Sequence, residues 1–116
     1  MLKSVTKYTA DKGNSNDVSA VIATTDYFFL LSEFEVFGSI TYGNKYEKDK
    51  QVQYAYYSAG NSKIKHKHNS TSTAASWWLR SPAAYSSNYF VFVYTDGTVY
   101  YAEAYLSSGF APGFCV

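Results

Sequence analysis

The sequence holds a single cysteine, Cys115, so no disulfide can close within the chain and the redox compartment stays undetermined. No apolar run approaches the ~20 residues that a membrane-spanning helix needs, which sets membrane insertion aside. Met1 to Ala10 has the wrong polarity for a signal peptide. Charge of either sign is scarce: the net value is +1, so global electrostatics select neither nucleic acid nor a membrane surface. From Ser81 to Val116 there is no Lys or Arg at all, only Asp96 and Glu103. The basic residues gather earlier, at Lys45, Lys48, Lys50, Lys63, Lys65, Lys67 and Arg80, against Glu47 and Asp49. Such a run reads as a solvated face, because nucleic-acid binding asks for a longer basic stripe.

Chemistry-bearing groups are equally sparse. His66 and His68 have strand i, i+2 spacing but lack a third ligand, and Lys63, Lys65 and Lys67 would repel a cation, so no metal site is expected. Cys115 has no base beside it to make it a nucleophile and reads as a small buried hydrophobe. No catalytic residue and no cofactor is expected.

What is abundant is aromatic. Of 116 residues, 20% are aromatic and thirteen are Tyr, while the apolar fraction of 47% is enough for one packed domain. Tyrosine joins a large apolar face to a polar tip, which suits a surface that stays soluble yet binds. Asp11 to Asp17 reads as a loop or linker. Either the chain begins in the cytoplasm, or residues 1–25 are a strand and linker ending a longer protein, with a binding domain over 26–116.

Asp26 to Leu31 is a short apolar run that predicts a buried strand. Ser32-Glu33-Phe34-Glu35 is a capping-box pattern, and with Gly38 as terminator it predicts a helix over Ser32 to Phe37. A second helix is expected across Asp49 to Ala59, stopped by Gly60. Ser62 to His68 reads as an edge strand and Asn69 to Ala75 as a Ser/Thr/Ala loop. Beyond it everything reads as strand: Ser76 to Pro82, Tyr89 to Tyr94, Thr98 to Tyr105 and Gly109 to Val116. Thr95-Asp96-Gly97 is a strong hairpin signal. Phe90, Phe92 and Tyr94 share one face of the first hairpin strand, Val91 and Val93 the other. Two short helices before a β-rich C-terminal half make an α+β domain. Arg80, the one charge in its strand, is expected to hydrogen-bond loop carbonyls.

Ser76-Trp77-Trp78-Leu79-Arg80-Ser81-Pro82 resembles the WWLRSP signature of bacterial and phage domains with a C-type-lectin-like fold. Phe90, Val93, Asp96-Gly97, Val99, Ala104, Gly109 and Ala111-Pro112-Gly113-Phe114-Cys115 are similar to the family's C-terminal pattern, and Leu30 to Gly38 to its earlier one. The resemblance covers roughly Asp26 to Val116. Several members of that family are the variable proteins of diversity-generating retroelements, in which adenines of Asn-rich template codons are rewritten. The resemblance implies a binding surface at Tyr85, Ser87, Tyr89, Phe92, Tyr94, Tyr100, Tyr101, Ala102, Glu103, Tyr105, Leu106 and Ser108. Nearly all of these are reachable from an Asn codon; Glu103 is not, since Glu needs a purine in the third place.

Tyr and Ser are also the residues that diversified binding sites favour. The implied partner is a protein or cell-surface ligand, and the implied location a phage virion or bacterial cell surface. The alternative is a non-diversified structural or adhesion domain of a phage tail or surface protein. Carboxylate-rich calcium loops are missing, so the lectin-type fold does not imply sugar binding. Formylglycine-generating enzymes, which share the broad fold, need paired cysteines. The aromatics Tyr85, Tyr89, Phe92, Tyr94, Tyr100, Tyr101 and Tyr105 are expected to converge on one exposed face. Tyr101 and Tyr105 have the opposite parity to Tyr100, so that convergence requires the strand to bend after Tyr101.

Overall fold

Ser32 starts the first helix by the predicted chemistry. Its hydroxyl accepts from the Glu35 amide at 3.1 Å while the Glu35 carboxylate accepts from the Ser32 amide at 3.0 Å, a complete capping box. Gly38 closes the helix at φ +69°, the left-handed conformation that glycine adopts without strain. Around it the computed structural model describes residues 1–67, 70–103 and 112–114. Their order is β1 (Val5–Ala10), β2 (Val21–Asp26), β3 (Phe28–Leu30), α1 (Glu33–Phe37), α2 (Ala55–Ser58), β4 (Lys65–Lys67) and β5 (Ser70–Ala75). Then follow β6 (Trp77–Pro82), β7 (Tyr89–Val93), β8 (Val99–Glu103) and β9 (Pro112–Phe114). All described pairings are antiparallel: β1 with β2, β3 with β9, β4 with β5, and the three-stranded sheet β6-β7-β8. The fold is a small α+β domain with two short helices, as expected.

Three expectations need correction. Asn69 to Ala75 is not a loop throughout: Ser70–Ala75 is β5, paired with β4 through Lys65↔Ala75 and His66↔Ala74. A polar run can hold a ladder when its partner supplies the backbone hydrogen bonds, which composition alone does not reveal. The second helix shrinks from Asp49–Ala59 to Ala55–Ser58, with a 3-10 turn over Lys45–Asp49 capped by Asn44. Long-range bonds hold the stretch between them extended: the Ser32 hydroxyl donates to the Gln51 side-chain oxygen at 2.7 Å, the Gln53 side chain to the Val36 carbonyl at 3.0 Å, and the Tyr54 amide to the Glu35 carbonyl at 2.9 Å. The apolar run at Asp26 to Leu31 is exposed through Phe28 and half-buried only from Phe29 to Leu31, with a three-residue strand inside it.

The expected division at residue 25 falls inside β2, whose register with β1 runs unbroken from Val5↔Asp26 to Ala10↔Val21. The 11–17 loop is strapped to the rest of the fold. The Asn14 amide donates to the Ala83 carbonyl at 3.0 Å and the Lys45 amide to the Asn16 side chain at 2.7 Å. A Cβ at Gly13 would stand 2.7 Å from the Ser86 carbonyl oxygen, so only glycine allows this approach.

The core is where the aromatic-strand motif predicts it. Val36, Tyr57, Trp77, Leu79, Val91 and Val93 pack together, and Trp77, Leu79, Val91 and Val93 are at most 2% exposed. The Trp77 indole donates to the Lys63 carbonyl at 3.0 Å, so its one polar atom is satisfied. Trp78 is also buried, edge-on to Phe92 with centroids 5.7 Å apart.

Beside this apolar core lies a polar one. Arg80, expected to bond loop carbonyls, donates to the carbonyl of Leu30 at the end of β3, at 2.8 Å, and its main partner is the Glu35 carboxylate, at 2.6 Å and 3.1 Å in a fork. Lys7 reaches the same carboxylate at 3.0 Å. Glu47 accepts from the Ala10 amide at 2.9 Å and the Ser81 hydroxyl at 3.0 Å, and Ser81 in turn accepts from the Glu33 amide at 3.0 Å. Burial disfavours the charged form of Glu35, but the bonds and charge of Arg80, with Ser32 and Lys7, outweigh it and hold its carboxyl below the usual range. Burial pushes Glu33 and Glu47 up, against their hydrogen-bond donors.

Two outcomes follow. Trp78→Ala should cost roughly 3–5 kcal/mol by leaving a cavity, whereas Tyr94→Ala, at an exposed position, should change stability by under about 1 kcal/mol; thermal unfolding of the two variants measures both. Glu35→Gln should cost about 3–5 kcal/mol by leaving Arg80 buried without its counter-charge. The lowered folded-state value means that the Glu35 contribution is full above the ordinary carboxylate range and is lost as pH falls through that value. Denaturant titrations across pH should therefore show a weaker acid dependence in Glu35→Gln than in the parent.

Candidate functional site

The hairpin that carries most of the expected binding residues is fixed at its tip. The Gly97 amide donates to the Tyr94 carbonyl at 2.9 Å, and the Tyr94 amide to the Thr98 carbonyl at 2.8 Å, across a three-residue loop ending in Gly97 at φ +84°. Asp96 accepts from the Thr98 hydroxyl and amide, at 2.5 Å and 3.0 Å, and these bonds hold its carboxyl below the usual range.

From that tip the register runs Val93↔Val99, Phe92↔Tyr100, Val91↔Tyr101, Phe90↔Ala102 and Tyr89↔Glu103. Alternation then distributes the side chains. Phe90, Phe92, Tyr100 and Ala102, with Tyr94, take one face; Tyr89, Val91, Val93, Val99, Tyr101 and Glu103 take the other. On the first face Tyr94 and Tyr100 are 46% and 48% exposed, with ring centroids 5.5 Å apart, and each packs on Phe92 at 6.2–6.3 Å. An open depression of about 300 Å³ borders Phe92, Tyr94, Tyr100, Tyr101 and Ala102.

The second face is core near the tip and becomes surface at its far end. There Tyr101 lies 4.8 Å from Tyr42 and 5.5 Å from Tyr89. The Tyr89 hydroxyl donates to Glu103 at 2.9 Å, and that carboxylate pushes the Tyr89 phenol up. A cleft of about 230 Å³ is lined by Thr41, Tyr42, Ala83, Tyr85, Ser86 and Tyr101. Tyr85 is 69% exposed and Ser87 is exposed in the same loop, where Asn88 takes a left-handed φ of 64°.

The expected convergence on a single face therefore does not occur. The sheet divides the aromatics into one patch of Phe92, Tyr94 and Tyr100 and another of Tyr85, Tyr89 and Tyr101. Through Glu103 the strand does not bend, since Ala102 and Glu103 remain in register with Phe90 and Tyr89, and the rest of the segment expected to bend lies outside the described residues. Small side chains permit a bend but do not impose one against an intact ladder. Tyr105, Leu106 and Ser108 lie outside the described residues, as do His68 and Cys115.

Tyr42 belongs to the second patch but escaped sequence reasoning. It precedes Gly43 in an ordinary loop, and its neighbours on the cleft come from far along the chain. Glu33 delivers it: the buried carboxylate accepts from the amides of Thr41 at 2.7 Å, Tyr42 at 3.2 Å and Gly43 at 2.8 Å. The only available signal was a second acid in the first turn of α1 beyond the one its capping box uses.

Elsewhere, the basic residues cover rings. Lys45, Lys50, Lys63 and Lys65 place their ammonium groups 4.8–5.6 Å from the centroids of Tyr46, Tyr8, Phe37 and Trp77. Among the described residues no cluster of three His, Cys, Asp or Glu could hold a metal, and no helix is long and apolar enough to cross a membrane.

No curated protein and no solved structure matches the chain. A family model described as a domain of unknown function, DUF6273, matches residues 2–116, the β1–β2 hairpin included. The chain belongs to the DUF6273 domain family.

Proposed function

We propose that this chain is a non-catalytic ligand-binding module with a C-type-lectin-like fold. Its Tyr- and Ser-rich segment from Tyr85 onward is the recognition surface for a protein or cell-surface ligand, on a phage virion or bacterial cell surface. The observation that carries the reading is the contrast along β6 to β8. Tyr85, Tyr94, Tyr100 and Tyr101 are 43–69% exposed, while Trp77, Leu79, Val91 and Val93, which support them, are at most 2% exposed. Exposed aromatics in groups do little for stability but serve as anchors in a partner's pockets. An invariant core beneath exchangeable positions is what a diversified binding protein requires, and the resemblance of Trp77 to Pro82 to the WWLRSP signature supports diversification by a retroelement. The separation of the aromatics refines the reading: the module presents two recognition patches instead of one.

A library at Tyr85, Ser87, Tyr89, Phe92, Tyr94, Tyr100, Tyr101 and Ala102, restricted to residues reachable from an Asn codon, tests this without a known ligand. Most displayed variants should stay protease-resistant, whereas the same mixture at Trp77, Leu79, Val91 and Val93 should leave few. Equal losses at both sets would refute a display surface. In the genome, a near-copy of the Tyr85–Ser108 coding segment beside a reverse-transcriptase gene, differing only at adenines, separates a diversified module from a fixed adhesion domain.

A further inference from the structure

We propose that the cleft between Tyr42, Tyr85 and Tyr101 receives a basic side chain, arginine or lysine, of the protein partner. The proposal rests on the ligand-binding reading above and names the chemistry of one of its two patches. At about 230 Å³ the cleft suits one side chain and is too small for an extended segment. Aromatic rings crowd it: Tyr42 and Tyr101 are tilted by 50° with centroids 4.8 Å apart, and Tyr89 lies 5.5 Å from Tyr101. The face of an aromatic ring is electrostatically negative and attracts a cation. None of the six lining residues is charged. The charges placed next to the cleft residues are acids: the Glu33 carboxylate on the amides of Thr41 and Tyr42, and the Glu103 carboxylate on the Tyr89 hydroxyl. With no Lys or Arg from Ser81 to Val116, the field this segment adds is set by its acids. An anionic ligand would be repelled there, and an apolar one would gain nothing from that field.

The rest of the molecule supplies a comparison. Five lysines (Lys7, Lys45, Lys50, Lys63 and Lys65) place their ammonium groups 4.6–5.6 Å from ring centroids elsewhere. Among the described residues no cation sits over Tyr42, Tyr85, Tyr89 or Tyr101, so whatever part of these rings borders the cleft is available to a cation from outside.

The cleft is also built before any ligand arrives. Glu33 grips the amides on both sides of Tyr42, and the Tyr42 carbonyl accepts from the Ala84 amide at 2.7 Å, one residue before Tyr85. A Cβ at Gly43 would stand only 3.0 Å from the Glu33 carboxylate, so Gly43 lets that grip close. Glu33 is thus a positioning residue for the cleft, and the ordering of its loop is complete before binding.

The test is a titration of the full chain with N-acetyl-arginine amide, followed through backbone amide resonances. N-acetyl-norleucine amide and N-acetyl-glutamate amide serve as controls. Saturable shifts at Tyr42, Tyr85 and Tyr101 are expected with the arginine probe, with affinity at least about fivefold above norleucine, the equivalent of about 1 kcal/mol of cation–π attraction. Glu103→Gln and Tyr85→Ala should each weaken binding several-fold while the remaining spectrum stays folded, and added salt should weaken it in the parent. Equal response to norleucine, shifts confined to Phe92, Tyr94 and Tyr100, or unchanged affinity in Glu103→Gln would each overturn the proposal. A silent arginine probe together with a tolerant Asn-codon library would overturn this inference and leave the ligand-binding reading standing.

Discussion

The carboxylate of Glu35 is the point through which the elements communicate. It accepts four hydrogen bonds: from the Ser32 amide, twice from the Arg80 guanidinium, and from Lys7. One side chain thereby caps α1, joins that helix to β6 of the three-stranded sheet, and ties in β1 from the N-terminal hairpin. A charge so little exposed is tolerable only when its acceptor sites are filled, and here they are. Lys7 is held charged in the same way, because its bonds to Tyr54 and Glu35 outweigh the burial that works against it.

Glu33 and Glu47 repeat the arrangement on a smaller scale, and Ser81 links them. Glu33 binds the amides of the loop from Thr41 to Gly43, and Glu47 binds the amide of Ala10 at the end of β1. In a chain of this size the apolar core is small, and buried carboxylates take over the ordering of loops. That is how residues far from the hairpin, Tyr42 above all, come to border it.

Much of the fold was legible because its signals are local. A capping box, a left-handed glycine and an Asp-Gly turn are decided within a few residues, and Ser32, Gly38 and Gly97 behave accordingly. The two tryptophans are buried because a strand with bulky groups on both faces needs cover on both. What could not be read depends on partners distant in sequence. β5 is a strand only because β4 lies beside it, and Gln51 and Gln53 straighten their segment only because α1 is there to bond. Arg80 was recognisable as structural, but its partner lies 45 residues away. The candidate site divides on the same principle: the composition of its exposed positions was visible, whereas their grouping followed from register, which strict alternation fixes.

That alternation has an evolutionary corollary. Between Val99 and Glu103, odd-numbered residues address one side of the sheet and even-numbered residues the other, so adjacent codons write to different surfaces. A change at Tyr100 leaves the Tyr42–Tyr101 contact intact, and a change at Tyr101 leaves the Tyr94–Tyr100 contact intact. One short stretch of gene thus writes to both sides of the sheet, with Tyr101 bordering the depression and the cleft alike.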